Sequence, residues 1–224
     1  MRVRTVAATA ATLALLTGCT SSASHPAQKS PTPTPSTSTY TGPPLTLPVP
    51  GSTITLSTSP APWAPPAIVA NGANSAAYVA AAGLPYSEEM LSVHYHAHLD
   101  VIVNGQPVAV PPYIGFVVQG QQALGLAPLH THQSDGIIHI ENSVPATFLL
   151  GQFFIEWGVR LSTTCIGGYC AGNGNVLAVY VNGKKYAGDP NAIVLTKHKE
   201  IAIEYGKTGT LPPPPASYAF ANGL

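Results

Sequence analysis

The chain is short of charge. Only 8% of its 224 residues are Asp, Glu, Lys or Arg, with nine of each sign, and beyond Arg2 and Arg4 the single arginine is Arg160. A phosphate-rich partner is met by a basic face with forked guanidinium contacts. This chain has none to offer, so nucleic acid is excluded as a partner. Cysteine is scarce as well, at three residues. Cys165 and Cys170 share one Gly-rich stretch, TTCIGGYCAGNG, and without a second pair they do not make a structural zinc site. Long apolar runs are missing too: the one near the N-terminus is too short for a permanent membrane helix, and no later segment is long enough to span. There is no Gly-x-Ser-x-Gly nucleophile motif. Ser134 beside Asp135 sits where turn chemistry expects both residues.

The N-terminus reads MRVRTVAATAATLALLTGC: two arginines, an apolar run, then small residues ahead of Cys19. That order is the pattern of an export signal. Residues 20–66 are rich in Ser, Thr and Pro and are expected to form a disordered, semi-extended stalk. Residues 67–210 then hold a single α+β, His-rich domain, and 211–224 an extended Pro-rich tail docked only through Tyr218 and Phe220. In an oxidising compartment Cys165 and Cys170 form an even pair. A disulfide closing a loop is expected there, with a copper-binding or redox pair as the alternative.

Within the domain, ANSAAYVAAA at 73–82 predicts a short helix ending at Gly83. From Ser92 to Val103 the residues alternate without a break. Val93, Tyr95, Ala97, Leu99, Val101 and Val103 point one way; His94, His96, His98, Asp100 and Ile102 point the other. Asn104-Gly105 turns this strand into a hairpin with Gln106–Val110. A second hairpin is expected over Leu129–Glu141, with Gln133–Gly136 as its turn. If 132 pairs with 137, His130 lies opposite His139, and His130, His132 and His139 share a face. FLLGQFFIEW, capped by Thr147 and stopped by Gly158, predicts the core helix. Val176–Val181, Asn182-Gly183, Lys184–Tyr186 and Glu200–Tyr205 complete the strands. The expected fold is a mixed sheet with one main packed helix, preceded by an extra β-hairpin and a short helix.

Six of the eight histidines fall between 94 and 139. On a strand, residues i and i+2 project in parallel while the neighbouring strand supplies a third ligand, and neutral imidazole binds zinc, copper, nickel and iron. His94, His96, His98, His130, His132 and His139 are therefore candidate metal ligands, for zinc or copper. Asp100, Asp135 and Glu141 stand by as a fourth ligand or as carboxylates that orient an imidazole. His25, in the stalk, and His198, in Lys197-His198-Lys199, read as surface residues. The alternatives are a solvated row of histidines and a pH-responsive face.

Four resemblances bear on this pattern. Leu16-Thr17-Gly18-Cys19 resembles the lipobox of bacterial lipoproteins, which implies that Cys19 is lipidated and tethers the protein to the extracytoplasmic face of the cell membrane. From Leu129 onward the order of elements resembles the β-grasp fold. There VLAVYVNGKKYAGDP looks like the strand and turn after the helix in small sulfur-carrier proteins. Gly223-Leu224 replaces their reactive Gly-Gly, so sulfur transfer is not implied. His130-x-His132 with His139 opposite resembles the three-histidine zinc site of carbonic anhydrases, and the His-x-His start resembles cupin metal sites, although the surrounding sequence matches neither. Finally, HYHAHLDVIVNG, PLHTHQSDGIIHIE, LGQFFIEWG and VYVNGK resemble blocks shared by a group of secreted or lipid-anchored bacterial proteins with no assigned activity.

Three functions compete. One is a membrane-anchored protein that captures, buffers or delivers zinc or copper outside the cytoplasm. Another is a metal-dependent hydrolase or lyase with an open His130/His132/His139 site and Glu141 or Asp135 as general base. The third is a non-catalytic envelope interaction module. Binding ranks above catalysis, because the histidines outnumber what one catalytic site needs and few acids, bases or arginines are left to orient a substrate.

Overall fold

The unbroken alternation at 93–103 produces the longest strand of the molecule, and the rest of the sheet is built around it. A computed structural model describes residues 54–224 and the two-residue strand Leu45–Thr46. The signal, Cys19 and most of the expected stalk lie outside the described residues. Strand β1 (Val93–Val103) turns through Asn104 and Gly105, both at positive φ as a primed turn demands, into β2 (Gln106–Val108). The strands β3 (Phe116–Gln119) and β4 (Gln122–Leu126), which the sequence pattern did not single out, form a separate hairpin. Next come β5 (Leu129–His130), β6 (Ile137–Asn142), β7 (Asn175–Val181), β8 (Lys184–Tyr186) and β9 (Glu200–Lys207).

The main sheet runs β8-β7-β9-β1-β6-β5, with β2 also paired to β1. Only β9 and β1 are parallel; every other pair is antiparallel. The expected α+β class with a mixed sheet is what the structure shows. The first hairpin, however, is not an addition in front of the sheet. β1 is its centre, because both edges of that strand carry hydrogen-bonding partners.

Two helices accompany the sheet. Helix α1 (Ser75–Ala81) is slightly shorter than the 73–82 expected. Helix α2 (Leu150–Trp157) begins three residues after Thr147, the expected cap. Thr147 instead lies in a short strand, Ala146–Thr147, parallel to Leu45–Thr46, and the Leu149 N–H is satisfied by Gln152 Oε1 at 3.0 Å. Gly158 stops the helix in the left-handed conformation. α2 contributes Leu150, Phe153, Phe154 and Trp157 to a core that includes Ala97, Leu99, Val101, Ile138, Ile140, Ile201 and Ile203. Truncating one of these phenylalanines to alanine typically costs about 3–5 kcal/mol.

Residues 54–66, placed in the stalk by composition, belong to the folded part. Trp63 is buried, packs edge-on against Trp157 at 5.6 Å, and its carbonyl accepts from Trp157 Nε1. Ser57 bridges to Val159 in parallel fashion. The Trp63 indole and the backbone bonds of Ser57 and Ser59 anchor a segment whose composition otherwise reads as linker. Cys165 and Cys170 are joined in a disulfide across the small hairpin Cys165–Ile166/Tyr169–Cys170. The tail lies extended, with Tyr218 stacked on His98 and Phe220 on His198. It is held as well by a hydrogen bond from His198 Nε2 to the Leu224 carbonyl, a contact beyond the two aromatic ones expected. Among the described residues no helix is long and apolar enough to cross a membrane.

Candidate metal centre

The alternation of β1 places its odd-numbered side chains on the helix-covered core and its even-numbered ones on the opposite face. Residues paired across neighbouring strands share a face. His94 pairs with Glu141, and His96 with His139; His139 in turn pairs with His130 on the far side. A row His96–His139–His130 therefore crosses three strands, with His94 and Glu141 beside it. The opposition of His130 and His139 is the one the sequence predicted. The pairing of 132 with 137 is not: Ile137 pairs with His98, and β5 ends at His130. His132 lies in the loop beyond, held near the row by edge contacts with His130 at 4.8 Å and His139 at 4.6 Å. Thr131, between the two, anchors that loop by donating to the Pro111 carbonyl and accepting from the Ile114 N–H.

The donor atoms converge. His96 Nε2 is 3.1 Å from both His94 Nε2 and His139 Nδ1. Glu141 Oε1 is 3.3 Å from His94 Nε2, 3.5 Å from His139 Nδ1 and 3.8 Å from His130 Nε2. Ligands at about 2.0–2.1 Å from a tetrahedral ion stand roughly 3.3 Å apart, which is the spacing seen here. His94, His96 and His139 form one group that could hold an ion; His130, His132, His139 and Glu141 form another.

Orientation follows metal-site practice. His130 Nδ1 is 2.9 Å from the Ala127 carbonyl, which can only accept, so Nδ1 carries the proton. Nε2 then presents its lone pair inward, buried and without a hydrogen-bond partner among the described residues. Glu141 Oε2 is buried and unpartnered too, as is His96 Nδ1, the ring nitrogen other than the one that meets His94 and His139. Buried polar atoms are ordinarily satisfied, and the carbonyl on the outer nitrogen is the usual support of a metal-ligating imidazole.

Burial is the main cause of the electrostatics. It pushes His96 and His130 down to about 4 and His139 to about 3, with neighbouring imidazoles adding to the effect on His96 and His139. For His130 the Ala127 hydrogen bond opposes the shift without reversing it. These three rings are neutral at pH 7 and have lone pairs to give. Burial also lifts Glu141 to about 7, helped by the charge and hydrogen bond of Glu89. An ion in the cluster would displace that proton.

The remaining predicted residues go elsewhere. His98 turns from the cluster to Glu200, whose Oε2 is 2.9 Å from its Nδ1, and Asp100 stands at 3.8 Å. Asp135 belongs to none of the groups that could hold an ion: its carboxylate accepts from the Ile137 N–H in the turn, while its carbonyl accepts from His98 Nε2. His198, set aside as a surface residue, is exposed, but its N–H donates to the His96 carbonyl beside the cluster. Sequence reasoning missed Glu89, 3.9 Å from His132, and Glu200. Nothing marked Glu89, in a loop. For Glu200, the alternation of β9 beside β1 was the available signal, because it puts Glu200 and Glu204 on the histidine face.

No family model matches the chain, and neither does any curated protein or solved structure.

Proposed function

We propose that the protein is a membrane-anchored, extracytoplasmic metal-binding protein that captures, buffers or delivers zinc or copper through His94, His96, His130, His132, His139 and Glu141. One observation carries this reading: ring nitrogens from three strands and one carboxylate oxygen converge at 3.1 to 3.8 Å from one another. Neutral imidazoles that close repel one another unless a proton or a cation lies between them. Five imidazoles exceed the four ligands of a zinc ion, so the cluster has donors for one ion or for two that share His139 and Glu141.

Binding is favoured over hydrolysis by the surroundings. The cleft that Glu141 lines, with Met90, Leu126 and Pro128 among its walls, holds about 130 Å³. Pockets for organic ligands start at roughly 300 Å³. The lipobox-like Leu16–Cys19 supports the anchored, exported part of the reading, and the shared histidine blocks support membership of a secreted or lipid-anchored family. A β-grasp relationship for the core is supported by the strand order, with a central parallel pair made from the first and last long strands and α2 across one face.

The test is metal analysis of untagged protein followed by calorimetric titration with Zn²⁺ and Cu²⁺. One or two equivalents should bind with micromolar affinity or better. The reading fails if neither ion binds, or if replacing His130 and His139 by alanine leaves binding unchanged.

A further inference from the structure

We propose that the other end of the same sheet face is a second, chemically different cation site, in which Asp100, Glu200 and His98 bind a hard divalent ion such as Mn²⁺, with Glu204 behind them. It does not rest on the imidazole cluster and stands or falls separately.

The pairing of β9 with β1 sets Glu200 beside His98, Ala202 beside Asp100 and Glu204 beside Ile102, all on the histidine face. Glu200 and Glu204 are buried, at 1% and 0% exposure. Glu200 Oε1 and both Glu204 oxygens have no hydrogen-bond partner among the described residues. A buried carboxylate is costly unless it is paired. The cationic partner that the structure sets against Glu200 and Asp100 is His98, one imidazole for two acids. Glu200, whose ligand atoms converge with those of His98 and Asp100, thus keeps one buried oxygen without a donor.

His98 is aimed for ligation. Its Nε2 is 2.9 Å from the Asp135 carbonyl and so carries a proton, which leaves Nδ1 facing Glu200 Oε2 at 2.9 Å and Asp100 Oδ2 at 3.8 Å. This is the same support that Ala127 gives His130. Gly136 permits the approach: it has φ +78, and a Cβ there would come within 2.8 Å of His98 Nε2 and 2.5 Å of the Leu99 carbonyl. Two donors at right angles on an ion at about 2.1 Å are roughly 3 Å apart, so the His98–Glu200 spacing matches an octahedral edge. One proton holds that place when no ion does.

Access and selectivity follow from the surroundings. The Tyr218 ring covers His98, stacked at 3.8 Å and 14°. Asp100 is left as the open side, at the wall of a cleft of about 280 Å³ that Ser134 and Asp135 also line. Two carboxylates and one imidazole are a harder donor set than the imidazole cluster and suit manganese or magnesium, as imidazoles suit zinc and copper.

Titration of full-length protein with Mn²⁺, followed by loss of the six-line signal of the free ion in electron paramagnetic resonance, tests this. The wild type should bind one Mn²⁺. Glu200→Gln and Asp100→Asn should each weaken binding by at least about tenfold, whereas the His130→Ala/His139→Ala double variant should bind within about twofold of wild type. Asp100 is half-exposed, so D100N decides the matter if E200Q does not fold. The proposal is overturned if millimolar wild-type protein leaves the free signal undiminished, or if binding follows His130 and His139 rather than Asp100 and Glu200. Zinc titration of E200Q, expected to match wild type at the imidazole cluster, separates failure here from failure there.

Discussion

At one end of the polar face five imidazoles gather round one carboxyl group; at the other, two carboxyl groups share one imidazole, with a third, Glu204, farther along β9. Both ends are laid out by the same strand, β1, and both are buried by the same fold. What differs is the strand alongside. β6 sets His139 and Glu141 against the histidines, while β9 sets Glu200 and Glu204 there. A β-strand with a constant two-residue period thus acquires two chemistries from its neighbours. The electrostatics divide accordingly. Burial removes charge from His96, His130 and His139, whereas at the far end the hydrogen bond and charge of Glu200 overcome the effect of burial and hold His98 above its ordinary value.

The comparison breaks most sharply at His139, which belongs to both histidine groups. His139→Ala should lower Zn²⁺ affinity by at least about 100-fold, measured by calorimetry. Next in size, Zn²⁺ at one hundred times its dissociation constant should stabilise the wild type by about 2.7 kcal/mol. That is a rise of roughly 5–10 °C in melting temperature for a domain of this size, and it should vanish in the His130→Ala/His139→Ala variant.

Opposite pH responses of the two ends sharpen the contrast. The cluster histidines have lowered pKa values when folded, so below about pH 6.5 the unfolded chain binds more protons and stability is lost as pH falls toward 4. Glu141, raised to about 7, works the other way, since its contribution is lost as pH rises from about 4.5 through 7. In thermal melts of metal-free protein, the His130→Ala/His139→Ala variant should therefore lose less stability than the wild type as pH falls from about 6.5 to 4. At the carboxylate end Glu200 and Glu204 are raised by burial, and stability is lost as pH rises through their folded values. Glu204→Gln should therefore raise the melting temperature at pH 8 and change it little at pH 4.

Smaller effects are expected away from the face. Replacing Cys165 and Cys170 by serine opens a short loop and should cost roughly 2 kcal/mol of stability on chain-entropy grounds, with zinc affinity unchanged. His198→Asn keeps a residue tolerant of its positive φ and should alter zinc affinity less than about twofold.

The sequence made half of this face legible. Strict alternation at 93–103 fixed which residues of β1 point together, and Asn-Gly turns marked the β1–β2 and β7–β8 hairpins. The opposition of His130 and His139 followed from counting back across a turn. The grouping of His98 with the other histidines did not survive. Its neighbour comes from a strand about a hundred residues later, and a parallel pairing of such separation leaves no local mark. Trp63 shows the same limit from another side: composition assigns a segment to linker, but packing is decided residue by residue. Glu89 reaches the cluster from a loop, where no periodicity exists to read.

The parallel seam between β1 and β9 also sets an order of events. His98 and Glu200 are 102 positions apart, so the sheet closes only after nearly the whole chain is available, and such long-range closure is slow. An incomplete chain therefore lacks the closed seam, and His98 has no Glu200 beside it. Any ion held between His98 and Glu200 has to wait for the last strand, whereas the imidazole cluster, drawn from residues 94–141, is complete without it.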